Sequence, residues 1–198
     1  ATYECSHISS ARMIETSGLD EAIIIDPHSI KMGEMFQIPV KLESDLKLFA
    51  EKIKSLNLSE YTIVSPYMVG IRIIKILSEL LDNADYAVVE KERDLETGHV
   101  EAKNIEGKIH ETAIIVDDMI STGKTIVEAI KVLKEKGAKR IFVFATHAIF
   151  SDDAPKILQE SAAEKVFVTD TIFTPLEKRF EKLEILSVSE TISNSLKE

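Results

Sequence analysis

Short apolar runs alternate along this chain with segments whose apolar residues recur every three or four positions. The runs are bounded by polar or turn-forming residues, which is typical of buried strands. They cover residues 21–25, 62–64, 87–89, 112–116, 140–146, 165–169 and 183–188. The other segments predict helices at residues 9–16, 44–56, 71–81, 125–136 and 153–161, and from residue 190 onward. This order predicts an α/β fold with a mainly parallel sheet and helices on both faces.

Two of the predicted helices have the clearest periodicity. Residues 125–136 place apolar side chains on one helix face, and Gly137 follows as a terminator. Residues 44–56 show the same spacing. The predicted core-facing residues are Ile126, Ala129, Ile130 and Leu133 in the first helix and Leu46, Phe49, Ala50 and Ile53 in the second. Residues 71–81 are rich in Ile and Leu and predict a largely buried helix, and Ser9 or Ser10 is the expected cap of the first helix.

Residues 90–108 interrupt the alternation. The segment is charged, contains Gly98 and has little periodic apolar content, so it predicts a loop or flexible hairpin lying over a site. A weaker pause in the pattern occurs near residues 33–40, where we place the only candidate domain boundary.

Composition and charge narrow the class of protein. The chain has 198 residues, 44% of them hydrophobic and 29% charged, as expected for a soluble globular protein. A net charge of −10 argues against broad binding to nucleic acid or membrane surfaces. The single cysteine, Cys5, excludes an intrachain disulfide and a cysteine-based zinc site. Without a visible signal peptide or an apolar run of roughly 20 residues, we expect a cytoplasmic location.

The most informative motif follows the apolar run that ends at residue 116. Asp117 and Asp118 come first, and a loop with hydroxyl side chains and glycine then leads into a helix. Such a loop can bind a sugar phosphate, because backbone N–H groups and the helix dipole favour the phosphate. The two carboxylates would face sugar hydroxyls or a hydrated cation. A Walker A loop is excluded, because that motif needs glycine five positions before Gly123, where Asp118 stands.

Other polar motifs follow predicted strands, at the sheet edge where ligands of α/β proteins bind. They occupy residues 26–28, 65–67, 90–93 and 146–147. Lys91 and Arg93 are either a charged hairpin edge or two cations that stabilise negative charge in a phosphoryl transfer. Asp26 and His28 either form a turn around the intervening proline or contact a cation or nucleotide.

Four further residues have simpler interpretations. His147 is more easily explained as a hydrogen-bonded residue at a strand end than as a ligand. Tyr67 and Met68 are most simply packing residues. Lys124 either belongs to the anion-binding loop or lies in the first helical turn, and the sequence does not decide between them.

These motifs resemble those of a known family. Residues 117–125 (Asp-Asp-Met-Ile-Ser-Thr-Gly-Lys-Thr) are similar to the phosphoribosyl-diphosphate (PRPP) binding fingerprint of type I phosphoribosyltransferase-fold proteins. The surrounding motifs resemble the ribose-phosphate pyrophosphokinase, or PRPP synthetase, family, and the likeness covers essentially the whole chain. The resembling segments are residues 8–11, 26–29, 36–40, 90–93, 146–151 and 168–172.

The resemblance implies an activity and a set of roles. The family transfers the diphosphoryl group of ATP to O1 of ribose 5-phosphate with Mg²⁺, yielding PRPP and AMP. Lys91 and Arg93 would stabilise the transition state, and His28 would serve a metal or the ATP phosphates. The residues implied in ribose 5-phosphate binding are Asp117, Asp118, Ser121, Thr122, Gly123 and Thr125. It also implies a homo-oligomer, either alone or with a related subunit. Residues 1–40 would be a remnant of an N-terminal phosphoribosyltransferase-like domain, and residues 41–198 would be the domain with the PRPP motif.

The sequence departs from the family's pattern at three places. Tyr67 stands where the family's Ser-Pro-Asp-x-Gly-Gly loop has its carboxylate, and Lys124 stands where the family usually has a second glycine. The family's N-terminal segment, with its ATP-binding Arg-Gln-Asp run, is expected to be missing. Two alternatives therefore stay open, which are a non-catalytic regulatory or associated subunit and a base phosphoribosyltransferase that uses PRPP.

Overall fold

A computed structural model describes residues 2–93 and 100–197, with the side chains of residues 9–29, 31–90 and 104–197. The strands are β1 (Ala22–Ile25), β2 (Val40–Glu43), β3 (Thr62–Ser65), β4 (Tyr86–Arg93), β5 (Val100–Glu106), β6 (Thr112–Ile120), β7 (Arg140–Ala148), β8 (Lys165–Thr169) and β9 (Leu183–Leu186). The helices are α1 (Thr2–Thr16), α2 (Leu46–Ser55), α3 (Ile71–Leu80), α4 (Lys124–Glu135), α5 (Ala154–Glu160) and α6 (Ser189–Ser195). Short 3₁₀ helices occupy Ile30–Met35, Met68–Gly70 and Leu176–Lys178.

Seven of these strands form one sheet in the order β5-β4-β3-β6-β7-β8-β9. Every neighbouring pair is parallel except β4 and β5, which form an antiparallel hairpin. The predicted α/β class with a mainly parallel sheet is therefore confirmed. The carboxyl ends of β3, β6, β7 and β8 share one edge of the sheet, so the loops that follow these strands are neighbours.

Helices cover both faces of the sheet, as the hydrophobic pattern predicted. One core packs α4 and α5 against the sheet, and the other packs α2 and α3 against the opposite face. All eight core-facing residues predicted for α2 and α4 are buried. In the second core, the Phe144 ring stacks on Phe167 with centroids 4.5 Å apart and meets Phe49 edge-on at 5.4 Å. Such aromatic packing fixes how helix α2 lies against the sheet.

The chain divides into two compact units, residues Leu46–Ser187 and residues Ala1–Asp45 with Val188–Glu198. The larger unit contains the seven-stranded sheet. In the smaller one, β1 and β2 form a parallel two-stranded sheet. The Glu15 carboxylate of α1 accepts backbone N–H groups of Gln37 and Ile38 just before β2. The Thr191 hydroxyl donates to the Asp45 carboxylate (2.9 Å), which joins the C-terminal helix α6 to this unit.

The structure corrects several predicted elements. β2 was not predicted as a strand, β5 was predicted only as part of a possible hairpin, and β1 was expected in the main sheet but pairs with β2. Helix α1 starts before the predicted caps Ser9 and Ser10. Helix α3 buries one face, whereas Ile76 on another face is 41% exposed. Residues 90–108 contain the β4–β5 hairpin, as one of the two predicted alternatives; its predicted flexibility stays a prediction, and residues 94–99 lie outside the described residues.

Gly107, directly after β5, allows the chain to pass closely over β4. Its φ is +124°, and a Cβ there would lie 2.6 Å from the Tyr86 carbonyl oxygen and 2.8 Å from the Ala87 Cβ. Gly137 also has positive φ (+97°) but has open space around it. We expect Gly107→Ala to lower the free energy of unfolding by about 2 kcal/mol and Gly137→Ala by about 1 kcal/mol. Urea unfolding of both variants measures this, and equal losses would contradict the close contact.

Candidate functional site

The turn between β6 and α4 is short and anchored at both ends. Residues 121–123 separate the strand from the helix, and Gly123 caps α4 with φ +73°. A Cβ at this glycine would lie 3.4 Å from side chains of α5, so a larger residue would crowd the turn. The Ser151 N–H donates to the Ser121 carbonyl (3.0 Å), which ties the turn to the loop after β7. Because the N-terminus of a helix is the positive end of its dipole, the start of α4 favours a bound anion.

The side chains of this turn differ in exposure. Ser121 and Lys124 are exposed, whereas Thr122 and Thr125 are half-buried. Lys124 is the first residue of α4, so of its two predicted positions the structure has the helical one. The Ser121 hydroxyl lies 3.0 Å from the Ser151 hydroxyl. The turn thus places three hydroxyl side chains, those of Ser121, Thr122 and Thr125, around the start of a helix.

Asp117 and Asp118 lie inside β6 and are nearly enclosed. Their exposed fractions are 7% and 8%, and the β6–β7 ladder continues past them to Ile120. The prediction that this strand ends at residue 116, with both acids in the polar loop, is wrong. The strand continues because β7 is equally long and supplies pairing partners as far as Ala148.

The side chain of Tyr67 contacts both acids. The Tyr67 hydroxyl donates a hydrogen bond to Oδ1 of Asp117 and lies 3.4 Å from Oδ1 of Asp118. Asp117 Oδ1 also accepts the backbone N–H of Asp118 (2.9 Å). The prediction that Tyr67 is a packing residue is wrong; the available signal was its place in a polar loop directly after a predicted strand. Met68, the other predicted packing residue, is 49% exposed.

Burial changes the acidity of this cluster. Removal from water raises the pKa of the Asp117 carboxyl to about 7; the Tyr67 hydrogen bond acts in the opposite direction, and the charge of Asp118 adds to the rise. Burial and the neighbouring Asp117 charge raise the pKa of the Tyr67 hydroxyl far above its usual value. Tyr67 is therefore a hydrogen-bond donor at any physiological pH.

The loop after β3 holds Tyr67 in place through its backbone. The Ser65 hydroxyl donates to the Tyr67 carbonyl (2.7 Å), and Tyr67 itself has an extended backbone with φ −166° and ψ 162°. Gly70 packs against Ser65, and a Cβ at Gly70 would collide with the Ser65 Oγ. The loop at residues 65–70 thus fixes the Tyr67 backbone so that the phenol lies against β6.

The ends of β7 and β8 form a hydrogen-bonded polar cluster next to the end of β6. His147 Nδ1 lies 3.0 Å from the Thr171 hydroxyl, which donates to the Thr146 carbonyl (3.1 Å). The Thr169 hydroxyl donates to the same carbonyl (2.8 Å). His147 is thus hydrogen-bonded at a strand end, as the sequence analysis predicted.

The other predicted site residues are placed less completely. Lys91 and Arg93 belong to β4, where a bulge shifts the register between Glu90 and Lys91, but their side chains lie outside the described residues. Asp26 and His28 follow β1 in the smaller unit, and His28 is exposed. The Asp26 carboxylate accepts the Asp45 N–H (3.1 Å), a contact between residues 19 positions apart, so its predicted role stays a prediction. Within the described ranges, no three His, Cys, Asp or Glu residues form a group able to hold a metal.

None of the helices in residues 2–93 and 100–197 has the length and apolarity to cross a bilayer.

The chain is similar to curated proteins over most of its length. It is 37% identical over 187 residues to the ribose-phosphate pyrophosphokinase of Gloeobacter violaceus, covering 94% of this chain and 56% of that protein. Identity to the ribose-phosphate pyrophosphokinase of Synechococcus elongatus is 34% over 188 residues, covering 94% of this chain and 56% of that protein. Residues 101–198 match the family model described as the phosphoribosyl synthetase-associated domain.

A solved structure agrees with these matches. The phosphoribosylpyrophosphate synthetase of Mycobacterium smegmatis superposes with a TM-score of 0.88 at 31% identity, covering 97% of this chain and 62% of that protein. The chain therefore spans somewhat more than half the length of the relatives it matches. Sequence likeness and superposition agree, and the chain belongs to the ribose-phosphate pyrophosphokinase (PRPP synthetase) family, with its phosphoribosyltransferase type I fold.

Proposed function

We propose that this chain binds ribose 5-phosphate at the carboxyl end of β6 and transfers the diphosphoryl group of ATP to it. The observation that carries the proposal is the buried pair Asp117 and Asp118, directly before a phosphate-suited turn at the start of α4, in a member of this family. The 5-phosphate would lie on the N–H groups and hydroxyls of residues 121–125. The sugar hydroxyls would donate to the two carboxylates.

The proposed reaction is a single displacement at phosphorus. O1 of ribose 5-phosphate forms a bond to the β-phosphorus of ATP, and the bond from that phosphorus to the oxygen it shares with the α-phosphate breaks. AMP leaves with the bridging oxygen, and the O1 proton passes to solvent. Lys91 and Arg93 would neutralise negative charge that develops on the transferred group, because such transfers depend on positioning and electrostatic stabilisation.

The Mg²⁺ of this family fits the chain as a part of the nucleotide substrate. Mg²⁺ in kinase-type sites takes only one or two protein carboxylates and completes its coordination with phosphates and water. The described residues offer no three-ligand group, and the Tyr67 hydroxyl already bonds to the acid pair. Bound to ATP, the ion would neutralise phosphate charge. His28 stays a proposed contact for this metal or for the ATP phosphates.

Isothermal titration with ribose 5-phosphate tests the sugar site. We expect Asp118→Asn to weaken ribose 5-phosphate binding by about tenfold to a hundredfold, because hydrogen bonds to a charged acceptor are replaced by weaker ones. The matched control is Asp82→Asn, which removes a carboxylate whose side chain is 93% exposed. An unchanged Kd for Asp118→Asn would contradict the assigned role.

Release of AMP from ATP, dependent on ribose 5-phosphate, tests the catalytic part of the proposal. The purified chain should release AMP and form PRPP in equal amounts. A protein that binds ribose 5-phosphate but releases no AMP would instead be a non-catalytic regulatory or associated subunit. The contact between Tyr67 and the acid pair favours this second candidate, because it occupies acceptors that a substrate would use.

A further inference from the structure

Tyr67 contacts the acid pair in the way that a ligand hydroxyl would. Its O–H donates to Oδ1 of Asp117 and lies 3.4 Å from Oδ1 of Asp118, so one hydroxyl faces both carboxylates. A sugar hydroxyl has the same donor chemistry and would need the same acceptors. The two hydroxyls cannot occupy one position at once.

The phenol is held at this position from the β3 side. The Ser65 hydroxyl fixes the Tyr67 carbonyl at 2.7 Å, and Pro66 is buried. The next two residues pack little, since Met68 is 49% exposed and Val69 is 79% exposed. The ring can therefore leave the acid pair by side-chain rotation or by movement of residues 68–69, without loss of a buried apolar contact from those two residues.

We propose that Tyr67 is a built-in competitor for sugar hydroxyls, which a polyhydroxylated ligand must displace from Asp117 and Asp118. This inference rests on the proposed sugar-phosphate function of the site. It makes Tyr67 a determinant of affinity and selectivity: a ligand gains from the acid pair only the difference between its own hydrogen bonds and those of the phenol. Ligands with two neighbouring hydroxyls can engage both carboxylates and displace Tyr67 better than ligands with one.

The competition would affect binding of the sugar half of the proposed ligand but not binding of its phosphate half. The phosphate half would bind the turn at residues 121–123 and the start of α4, where Tyr67 makes no described hydrogen bond. Removal of the phenol hydroxyl should therefore strengthen binding of ribose 5-phosphate and leave inorganic phosphate unaffected. A general disturbance of the site would change both.

The test compares Tyr67→Phe and Tyr67→Ala with the unaltered chain by titration with ribose 5-phosphate, 2-deoxyribose 5-phosphate and inorganic phosphate. We expect ribose 5-phosphate to bind about tenfold more tightly to both variants, with a smaller gain for the deoxy sugar and none for phosphate. The control is Tyr61→Phe, which makes the same chemical change in a half-buried tyrosine next to the other end of β3. It should leave every affinity unchanged.

A spectroscopic readout follows the displacement directly. The chain has four tyrosines and no tryptophan, so the difference spectrum on ligand addition, read at wavelengths beyond the phenylalanine bands, reports tyrosines alone. Ribose 5-phosphate should shift tyrosine absorption in the unaltered chain and in Tyr61→Phe. The shift should be absent in Tyr67→Phe.

Each outcome decides the inference. Equal ribose 5-phosphate affinity in the unaltered chain and both Tyr67 variants overturns the competitor role and leaves the proposed function standing. Binding that appears only in the variants supports it in its strongest form. If no protein in the set binds ribose 5-phosphate, the proposed function fails and the competitor role falls with it.

Discussion

Replacing Lys91 by alanine should lower the turnover of ATP and ribose 5-phosphate by about a thousandfold, because a cation that neutralises charge in the transition state would be lost. Binding of ribose 5-phosphate should change by less than about twofold, since the proposed sugar site is built from β6 and α4 rather than β4. Steady-state AMP release gives the turnover, and isothermal titration gives the affinity.

Lys108→Ala is the matched control for this prediction. It also removes one lysine charge, but Lys108 lies before β6, at the opposite edge of the sheet, and pairs with Asp85 at the surface (3.4 Å). We expect its turnover to equal that of the unaltered chain. If Lys91→Ala lost affinity and turnover in equal proportion, Lys91 would bind the ground state and not act in the transition state.

The elements that the sequence predicted best are those in which the spacing of apolar residues alone determines which side is buried. Helices α2 and α4 each present one apolar face to a broad sheet, so the spacing of Phe49 and Ile53, or of Ile126 and Leu133, determines which side is buried. The strands β3, β6, β7 and β8 have helices on both faces, and each therefore contains a continuous apolar run. In both cases a local pattern carries the tertiary information.

Strands β2 and β5, whose bounds the sequence did not predict, have no such apolar pattern. β5 is an edge strand, and its residues Glu101, Lys103, Asn104 and Glu106 give no apolar run. β2 is four residues long and belongs to a two-stranded sheet with only partial burial, so its Val40 and Leu42 stand out weakly. Backbone pairing rather than burial defines these strands, and pairing leaves little trace in a single sequence.

The site shows the same division between local and long-range information. Residues 117–125 predict a turn suited to phosphate, because its glycine, hydroxyl groups and acids all lie within one short segment. The contact of Tyr67 with Asp117 joins residues 50 positions apart. It arises only because β3 and β6 are neighbours in the sheet, and the sequence order alone gave no pairing of those strands. The sequence shows that residue 67 departs from the family pattern, but it does not show that Tyr67 contacts Asp117.

Asp117→Asn should stabilise the fold at alkaline pH. The carboxyl of Asp117 has an ordinary pKa of 3.8 and a folded-state pKa of about 7, raised chiefly by burial. Between these values the folded chain holds a proton that the unfolded chain has lost, so this group makes stability fall as pH rises from about 4 to about 7. Above that range the cost is constant, and at about pH 8 it amounts to on the order of 2 to 4 kcal/mol.

Asparagine at position 117 removes the cost of ionising a buried carboxyl and keeps the hydrogen bonds that Asp117 accepts. Its side-chain oxygen can still accept from the Tyr67 hydroxyl and the Asp118 N–H, which both donate to Oδ1 of Asp117. Urea unfolding should therefore show little difference between Asp117→Asn and the unaltered chain near pH 4, and a gain that grows up to about pH 7.

Asp85→Asn supplies a comparison of opposite sign. Hydrogen bonds from His110 and Lys108 hold the pKa of the exposed Asp85 carboxyl below its usual value, so its contribution to stability is present above the ordinary pKa and is lost as pH falls through the lowered one. Its replacement should therefore cost stability at neutral pH and nothing in strong acid. A pH-independent gain for Asp117→Asn would mean that the carboxylate of Asp117 is ionised without cost in the folded chain, and the enclosed acid pair would then not exist in solution.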